Sequence, residues 1–550
     1  MKPLTILRTG AGSAVAPFVI GALRAAGARV IAADMNRLSV GFAFADRALA
    51  IPPARDPGFV PALLDACVRE QVDVLFPDVD EELGPVARAR AAFEERGVRV
   101  LLSPADVLAR CTDKRQFAAE LGRLGLPSPR VYAPHEVTDE VSGDLPFPLF
   151  VKPRAGRGSA HTYKVRDRAE LEIALAKVPE PVVQEYLPGR EYTIDTLSTL
   201  DGRFLYASVR ERLATDSGIS IKGRTLDWPA GEELARQVVE GLGIVGPCCL
   251  QGILDGDGAL RFTDCNPRLG GGTVLSIAAG APILDDLVRL LRGEPPVGKQ
   301  AYRAGLIMLR SWHETYLDPL AQVGAVAFDL DDTLFDRRDH LAGALARVAT
   351  AIADATGRDR GPVEDSLRAT WARLGTDHDH VFDVWLEALG LVPAEHVRRC
   401  VEAFHAHTPV TLALRPGVAD ALAALRAAGV PIAIVTDGRA ATQEAKVRAL
   451  GIEPLVDAIV YCGALAAPKP DPRGLVEASV RLGVPVERVL YAGDHPRYDV
   501  VMARTAGAIA ARVYTGEFAG RPDEPGASPD VTAGDVATLV RRVLDALGPR

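Results

Sequence analysis

From Leu4 onward, short apolar runs alternate with longer segments in which apolar residues recur at helical spacing. Leu4 to Arg8 reads as a buried strand, Ala14 to Ala26 as an amphipathic helix and Arg29 to Ala33 as a second strand. Val60 to Glu70 is a further helix, followed by the strand Val72 to Phe76. This β-α-β rhythm implies a parallel sheet covered by helices on both faces. It breaks around Leu126-Pro127-Ser128-Pro129, and a strand-rich region runs from there to about Asp264. Helical periodicity returns over Ile283 to Leu291. Between Ser311 and Gly324 the chain restarts, with Ala325-Val326-Ala327-Phe328 as a buried strand leading into Asp329. The β-α-β rhythm then continues to the C-terminus, interrupted by a long helical stretch from about Asp339 to His407. No internal repeat is visible, and Gly520 to Pro529 reads as a surface loop. The fold class expected is multidomain α/β.

Length and composition narrow this picture. At 550 residues the chain exceeds one hydrophobic core, so two to four domains are expected. A net charge of -9 argues against nucleic acid as a partner, because neutralising a phosphate backbone needs a basic surface. It leaves nucleotides open, since these need only a few cations and backbone N–H groups. The seven cysteines form no C-x-x-C pair and no zinc spacing, which fits buried free thiols in a reducing compartment; Cys248-Cys249 reads as core packing. No apolar stretch reaches the roughly 18–20 residues that a membrane span requires. Arg8 and the turn Gly10-Ala11-Gly12 interrupt any signal-peptide pattern at the N-terminus. A cytoplasmic enzyme with no membrane partner is expected.

The strongest chemical signal is Phe328-Asp329-Leu330-Asp331-Asp332-Thr333-Leu334 at the end of an apolar strand. Ligands of parallel α/β sheets bind beyond the carboxyl ends of the strands, so both carboxylates can face a phosphate there. Ile432-Ala433-Ile434-Val435-Thr436 is a strand ending in a hydroxyl, and Pro468-Lys469-Pro470 supplies a fixed cation. Val489-Leu490-Tyr491-Ala492-Gly493-Asp494 ends a strand in a carboxylate, with Asp499 shortly after. Together these motifs resemble those of the haloacid dehalogenase (HAD) superfamily, in order, over about residues 324 to 516. The resemblance implies that Asp329 is the nucleophile, taking the phosphoryl group as an aspartyl-phosphate, with Asp331 as general acid and then base. It further implies that Thr436 and Lys469 hold the phosphoryl oxygens. Asp494, Asp329 and the backbone carbonyl of Asp331 would hold Mg2+ (or Mn2+), supported by Asp499. A carboxylate at Asp331 favours phosphatase over dehalogenase, because a leaving alcohol needs a proton and a halide does not. The insertion at about 338–412 resembles the helical C1 cap of this superfamily. Trp371, His378, His380 and Trp385 lie in it, either as substrate contacts or, the reading favoured here, as cap packing and a solvated loop.

At the N-terminal end, Thr9-Gly10-Ala11-Gly12-Ser13 follows the first strand and Asp34 the second, but Val15 replaces the third glycine of a dinucleotide fingerprint. A nicotinamide-dependent dehydrogenase is therefore set aside. Thr112-Asp113-Lys114, Phe150-Val151-Lys152-Pro153, the loop Gly156-Arg157-Gly158-Ser159, Gln184-Glu185-Tyr186-Leu187, Glu191, Gln251 and Asp264-Cys265-Asn266-Pro267-Arg268 follow in series. This series is similar to the ATP-grasp superfamily, in its carbamoyl-phosphate-synthase-like branch, over about residues 3 to 317. The resemblance implies a Rossmann-like pre-ATP-grasp domain at 1–110, an α+β ATP-grasp domain at 111–317 and a HAD core with its cap at 324–550. Lys114, Lys152, Gly156, Gly158 and Ser159 would bind the phosphates of ATP, and Glu185 and Leu187 would border adenine. Glu191 would bind ribose, Gln251, Asp264 and Asn266 would hold Mg2+ (or Mn2+), and Arg268 would stabilise the transferred phosphoryl group. The chain departs from the family at Asp264, where glutamate is usual, and at His161, where glycine is usual.

The activity implied is bifunctional: carboxylate–amine ligation through an acyl phosphate, and phosphomonoester hydrolysis. The partners are a small carboxylate, an amine and a phosphorylated metabolite, with homo-oligomerisation left open. Asp80 and Glu82 are candidates to face the amine, with an exposed loop as the alternative. Arg210, Arg212 and Lys222 are candidates to bind the acid, with a solvated strand face as the alternative. A nucleotide-binding module that does not ligate is the competing reading of the N-terminal half.

Overall fold

A computed structural model describes residues 3–138, 145–156, 158 and 160–548. Its contacts separate two compact units, Met1–Thr315 and Tyr316–Arg550.

The N-terminal unit opens with a five-stranded parallel sheet in the order Arg47–Ala50, Arg29–Asp34, Thr5–Arg8, Val74–Phe76, Arg99–Val100. All four residues of Thr5–Arg8 are buried, as expected for a central strand covered on both faces. Val19, Ile20 and Leu23 pack with Leu284, Leu287 and Val288 in one core, and Phe59, Leu63, Val86 and Phe93 form another. The strand order reverses at Thr5–Arg8, which opens a crevice beyond the carboxyl ends of this strand and of Val74–Phe76. Arg8 is fully buried there and ion-paired to Asp78, while the Thr9 hydroxyl donates to Glu82. Asp80 and Glu82 are not on an exposed loop: they lie in the first turn of the helix Asp80–Arg88, where carboxylates favour the helix dipole. Glu82 is buried, so its carboxyl is pushed up to about 7 by desolvation; the Thr9 hydrogen bond opposes this, and Asp78, Asp34 and Glu81 add to it.

The strand-rich region forms two antiparallel sheets. One has four strands in the order Val131–Tyr132, Pro181–Glu185, Leu149–Pro153, Tyr163–Val165. The other has six, in the order Leu260–Asn266, Pro247–Leu254, Arg190–Ser198, Phe204–Asp216, Ile219–Leu226, Ile307–Leu309. Arg210 is neither on a solvated face nor free for an acid substrate. It is buried against Asp195, at 2.8 Å from Nε to Oδ2, and Asp195 also accepts from Thr273 (2.8 Å) and Ser276 (2.6 Å). Arg212 is likewise engaged, pairing with Glu191 at 2.7 Å, and of the three cations only Lys222 is exposed. Cys248 and Cys249 are buried, and all seven cysteines are free thiols.

The C-terminal unit is built on a six-stranded parallel sheet in the order Ala458–Tyr461, Ile432–Thr436, Ala325–Phe328, Val489–Gly493, Ile509–Val513, Val531–Ala533. Every residue of its four inner strands Ile432–Thr436, Ala325–Phe328, Val489–Gly493 and Ile509–Val513 is buried. The order reverses at Ala325–Phe328, so a second crevice opens where Asp329 emerges. Four helices, Arg337–Thr356, Arg360–Leu374, Val381–Ala388 and Pro393–His405, make up the insertion and share a core of Leu345, Val348, Ile352, Leu367, Trp385 and Cys400. Trp385 is fully buried, Trp371 stacks on Phe404 with centroids 5.6 Å apart, and His378 and His380 are exposed. The tryptophans thus serve packing. Gly520–Pro529 holds neither helix nor strand. Among the described residues, no helix is long and apolar enough to cross a membrane.

Two stability predictions follow from these burials. Asp195→Ala strands a buried guanidinium and should cost the N-terminal unit about 3–5 kcal/mol in chemical denaturation; a loss below about 1 kcal/mol would remove Asp195 as the hub of that sheet. Glu82 has a folded-state value raised from 4.5 to about 7, so its neutral form is the one the fold favours. Stability should therefore be full below pH 4.5 and fall as the pH rises through 7, at up to about 1 kcal/mol per pH unit. Denaturation of the wild type and Glu82→Gln at intervals from pH 5 to 8 checks this. Parallel profiles would contradict it.

Candidate active sites

At the C-terminal crevice the backbone N–H of Asp329 donates to the Ala492 carbonyl at 2.8 Å, which fixes the start of the loop to the neighbouring strand. The Lys469 ammonium bonds Asp329 Oδ1 and, at 2.8 Å, Asp499 Oδ1. Tyr491 adds a hydroxyl to Asp499 at 3.1 Å. The Thr333 hydroxyl lies 3.4 Å from both Asp329 Oδ2 and Asp494 Oδ1. Asp329, Asp494 and Asp499 bring carboxylate oxygens within 4.8 Å of one another, all three buried. Burial pushes Asp329 up to about 7, with Lys469 opposing and Asp499 and Asp331 adding. Burial likewise pushes Asp494 up to about 9, with Asp499 and Asp329 adding. Lys469 stays firmly cationic, because Asp329 and Asp499 outweigh its burial. Asp494 Oδ2 is buried with no hydrogen-bond partner. An orphaned carboxylate oxygen among crowded acids fits a hard divalent cation such as magnesium.

Asp331 belongs to the same loop but faces elsewhere. Its carboxylate takes Lys446 Nζ at 2.6 and 2.9 Å and Gln443 Nε2 at 2.7 Å. Gln443 also reaches the Thr436 hydroxyl at 2.6 Å, tying the expected phosphate-binding hydroxyl to the expected acid–base group. Burial alone would raise Asp331, but Lys446 and Arg337 hold it below the usual carboxylate range. Its side chain is thus outside the carboxylate cluster, which leaves only its carbonyl for a metal ion. Asp332 has φ 59, pairs with Arg415 at 3.2 Å and accepts the Arg337 backbone N–H at 3.2 Å. Gln443 and Lys446 were not among the expected site residues. Their signal is two polar residues three apart on the helix that follows the Thr436 strand, both turned to a buried face. The insertion is fastened beside Asp494: Asp377 meets His495 at 3.2 Å and Arg521 at 2.5 Å, and Thr376 bonds Glu517 at 2.8 Å.

In the N-terminal unit a cleft of 770 Å³ is lined by Lys114, Lys152, Gly156, Gly158, Glu185, Leu187, Glu191, Gln251, Asp264, Asn266 and Arg268. Asp113 caps the helix Lys114–Arg123 and so sets Lys114 at its first position. Lys152 comes from the strand Leu149–Pro153, and Asp264 from the edge strand opposite Gln251. The Asp264 carboxylate sits 3.1 Å from Lys152 and 3.6 Å from Lys114. Burial would raise it, but the two lysines hold it ionised. Lys152 is correspondingly depressed by its own burial, against the pull of Asp264. The oxygen set Gln251, Asp264 and Asn266 suits a hard cation, provided the lysines transfer to phosphate. Glu191 is held by Arg212, so a ribose hydroxyl would share it with that cation. Glu185 accepts the Arg130 N–H at 3.2 Å, and Leu187 is buried beside it. Gly156 and Gly158 have φ +140 and +71; Arg157 and Ser159 lie outside the described residues. His161 has φ 55, the left-handed region where glycine costs least, which is a conformational reason for glycine at this place.

Arg268 is occupied in this state. It clamps Asp80 through two bonds of 2.7 and 2.6 Å, joining the loop after the strand Leu260–Asn266 to the helix at the first crevice. A bidentate fork on a carboxylate is the geometry that an acid substrate or acyl phosphate also requires.

Three family models match the chain in order. "PylC-like, N-terminal domain" covers residues 6–101, "ATP-grasp in the biosynthetic pathway with Ter operon" covers 177–311, and "haloacid dehalogenase-like hydrolase" covers 323–507. A glyceraldehyde 3-phosphate phosphatase of Methanopyrus kandleri is 30% identical over 200 residues, 36% of this chain and 86% of that protein. A phosphoserine phosphatase of Thermus thermophilus is 31% identical over 240 residues, 38% of this chain and 94% of that protein. Among solved structures, the biotin carboxylase domain of the Hydrogenobacter thermophilus 2-oxoglutarate carboxylase, with MgADP, matches at 17% identity and TM-score 0.48, covering 56% of this chain and 74% of that one. An L-amino acid ligase from Bacillus licheniformis matches at 22% identity and TM-score 0.43, covering 54% and 75%. The chain belongs to the haloacid dehalogenase-like hydrolases through its C-terminal unit, and its N-terminal unit matches an ATP-grasp family model over residues 177–311.

Proposed function

We propose that the chain is a bifunctional enzyme, an ATP-dependent carboxylate–amine ligase joined to a phosphomonoester hydrolase that works through an aspartyl-phosphate. The observation that carries the hydrolase reading is the pairing of a buried strand-end carboxylate, Asp329, with the fixed ammonium of Lys469 beside Asp494 and Asp499. Asp329 Oδ attacks phosphorus in line with the ester oxygen, whose bond to phosphorus breaks. The leaving oxygen takes its proton from the carboxylic acid form of Asp331, which is reached once its carboxylate has released Lys446 and Gln443 and taken up a proton. Water then attacks the aspartyl-phosphate, giving its proton to Asp331, and inorganic phosphate leaves with Asp329 restored. Thr436 and Lys469 hold the phosphoryl oxygens. Asp329, Asp494, Asp499 and the Asp331 carbonyl would hold magnesium, which neutralises charge on the transferring group.

In the ligase reaction the γ-phosphoryl group of ATP passes to a carboxylate oxygen, and ADP leaves. The amine nitrogen then attacks the acyl carbon, phosphate leaves and a proton is lost. Lys152 and Lys114, which converge on Asp264, are the cations for the phosphates, and Arg268 is the fork for the acyl phosphate once it releases Asp80. We place both reactions in one small-molecule pathway, the phosphate serving as a handle that is removed from the ligase's substrate or product. Covalent linkage raises the effective concentration of such an intermediate.

Asp329→Asn should lower hydrolysis of a generic phosphomonoester by at least about a thousandfold while ATP binding persists; turnover near that of the wild type would take the nucleophile's role from Asp329. Lys152→Ala should stop ADP release that depends on an added acid and amine. If the wild type itself binds ATP but releases no ADP with any acid–amine pair, the N-terminal unit is a nucleotide-binding module instead. The shared pathway is tested by product analysis: Asp329→Asn should accumulate a phosphorylated ligation product or ligate only a dephosphorylated acid. An unchanged product at an unchanged rate would end that reading.

A further inference from the structure

Arg337 is the first residue of the helix Arg337–Thr356, placed there by the Asp336 cap, whose side chain accepts from the Arg338 N–H. A cation at a helix N-terminus opposes the dipole, so the position is electrostatically adverse unless an anion faces it. The nearest carboxylate oxygen is Asp331 Oδ1, 3.9 Å from Nε and beyond hydrogen-bond distance. Asp331 has no need of Arg337, since Lys446 covers both its oxygens and Gln443 one of them. Asp332 is already paired with Arg415. Arg337 nonetheless sits among the reacting groups: burial opposes its charge, and Asp331, Asp332, Asp329 and Asp494 together outweigh that burial. Its side chain is 30% exposed, so solvent and small solutes reach it. One turn along the same helix face, His340 is buried with Nδ1 lacking a hydrogen-bond partner among the described residues. Burial depresses His340 to about 3, so it offers a neutral polar atom and not a second cation.

A guanidinium that is partly desolvated, open to solvent and, among the described residues, in the field of several acids without a hydrogen bond to any of them can still offer its fork to an anion. We infer that Arg337 binds a second anionic group of the substrate, a carboxylate on the alcohol portion of the phosphomonoester, and so selects phosphorylated hydroxy acids over neutral phosphate esters. The inference rests on the phosphomonoesterase reading given above. Lysine at this place would supply charge without the planar pair of donors that matches a carboxylate.

The full chain, with magnesium, is assayed on 2-phosphoglycolate and 3-phosphoglycerate, each against its neutral amide. The wild type should favour at least one acid over its amide by about tenfold or more in kcat/KM. In Arg337→Met that ratio should fall to near one. Because both esters are measured on one preparation, a partly unfolded variant leaves the ratio untouched. Ratios near one for the wild type, or a wild-type preference that persists in Arg337→Met, would overturn the selection by Arg337 while leaving the phosphatase intact. Hydrolysis of none of the four compounds, nor of a generic aryl phosphate, would remove the phosphomonoesterase reading itself and the inference with it.

Discussion

The ammonium of Lys469 holds the C-terminal site together. A parallel sheet gathers the ends of its inner strands at one crevice, and here those ends carry Asp329, Asp494 and the nearby Asp499. Like charges this close and this buried repel strongly, and burial multiplies the effect because little water remains to screen it. Lys469 spans Asp329 and Asp499, and Tyr491 steadies Asp499 from the other side. Asp494 keeps an oxygen with no partner, so the compensation inside the protein is incomplete. That incompleteness suits the crevice to a hard cation.

The N-terminal unit meets the same problem with the signs exchanged. Two lysines face the cleft, and Asp264 lies between them. Arg268, the other cation of that cleft, holds Asp80. Each of these cations is therefore paired with a carboxylate of the protein, which an anionic ligand would have to displace. Binding becomes an exchange of partners, which avoids leaving bare charge in a low-dielectric cleft. Asp264 is one methylene shorter than the usual glutamate, and the lysines still reach it.

The strand-end groups were legible in the sequence because an apolar run that stops at an aspartate or threonine fixes both the strand and the crevice it faces. Ala325–Phe328 before Asp329, and Val489–Gly493 before Asp494, are of this kind. The helix Ile283–Leu291 was legible for a similar local reason, its strong apolar periodicity. What could not be read are pairings across long separations. Lys446 and Asp331 are 115 residues apart, and Arg268 and Asp80 are 188 apart. No local pattern says that Lys446 will pair with Asp331 or that Arg210 will be consumed by Asp195. The alternation along a strand shows which side chains share a face, but the partner on the neighbouring element decides whether a charge there is solvated, spent or available.

The fastening of the helical insertion beside Asp494 has an energetic meaning. Asp377, Arg521 and the Thr376–Glu517 pair are largely at the surface, with Asp377 and Arg521 side chains 33% and 40% exposed. Contacts of that kind are each worth less than about 1 kcal/mol. The apolar core of the insertion is its own and stays intact whether or not these contacts are made. Cutting Thr376–Glu517 or Asp377–Arg521 by mutation would therefore loosen the seat of the insertion beside Asp494 without unpacking that core.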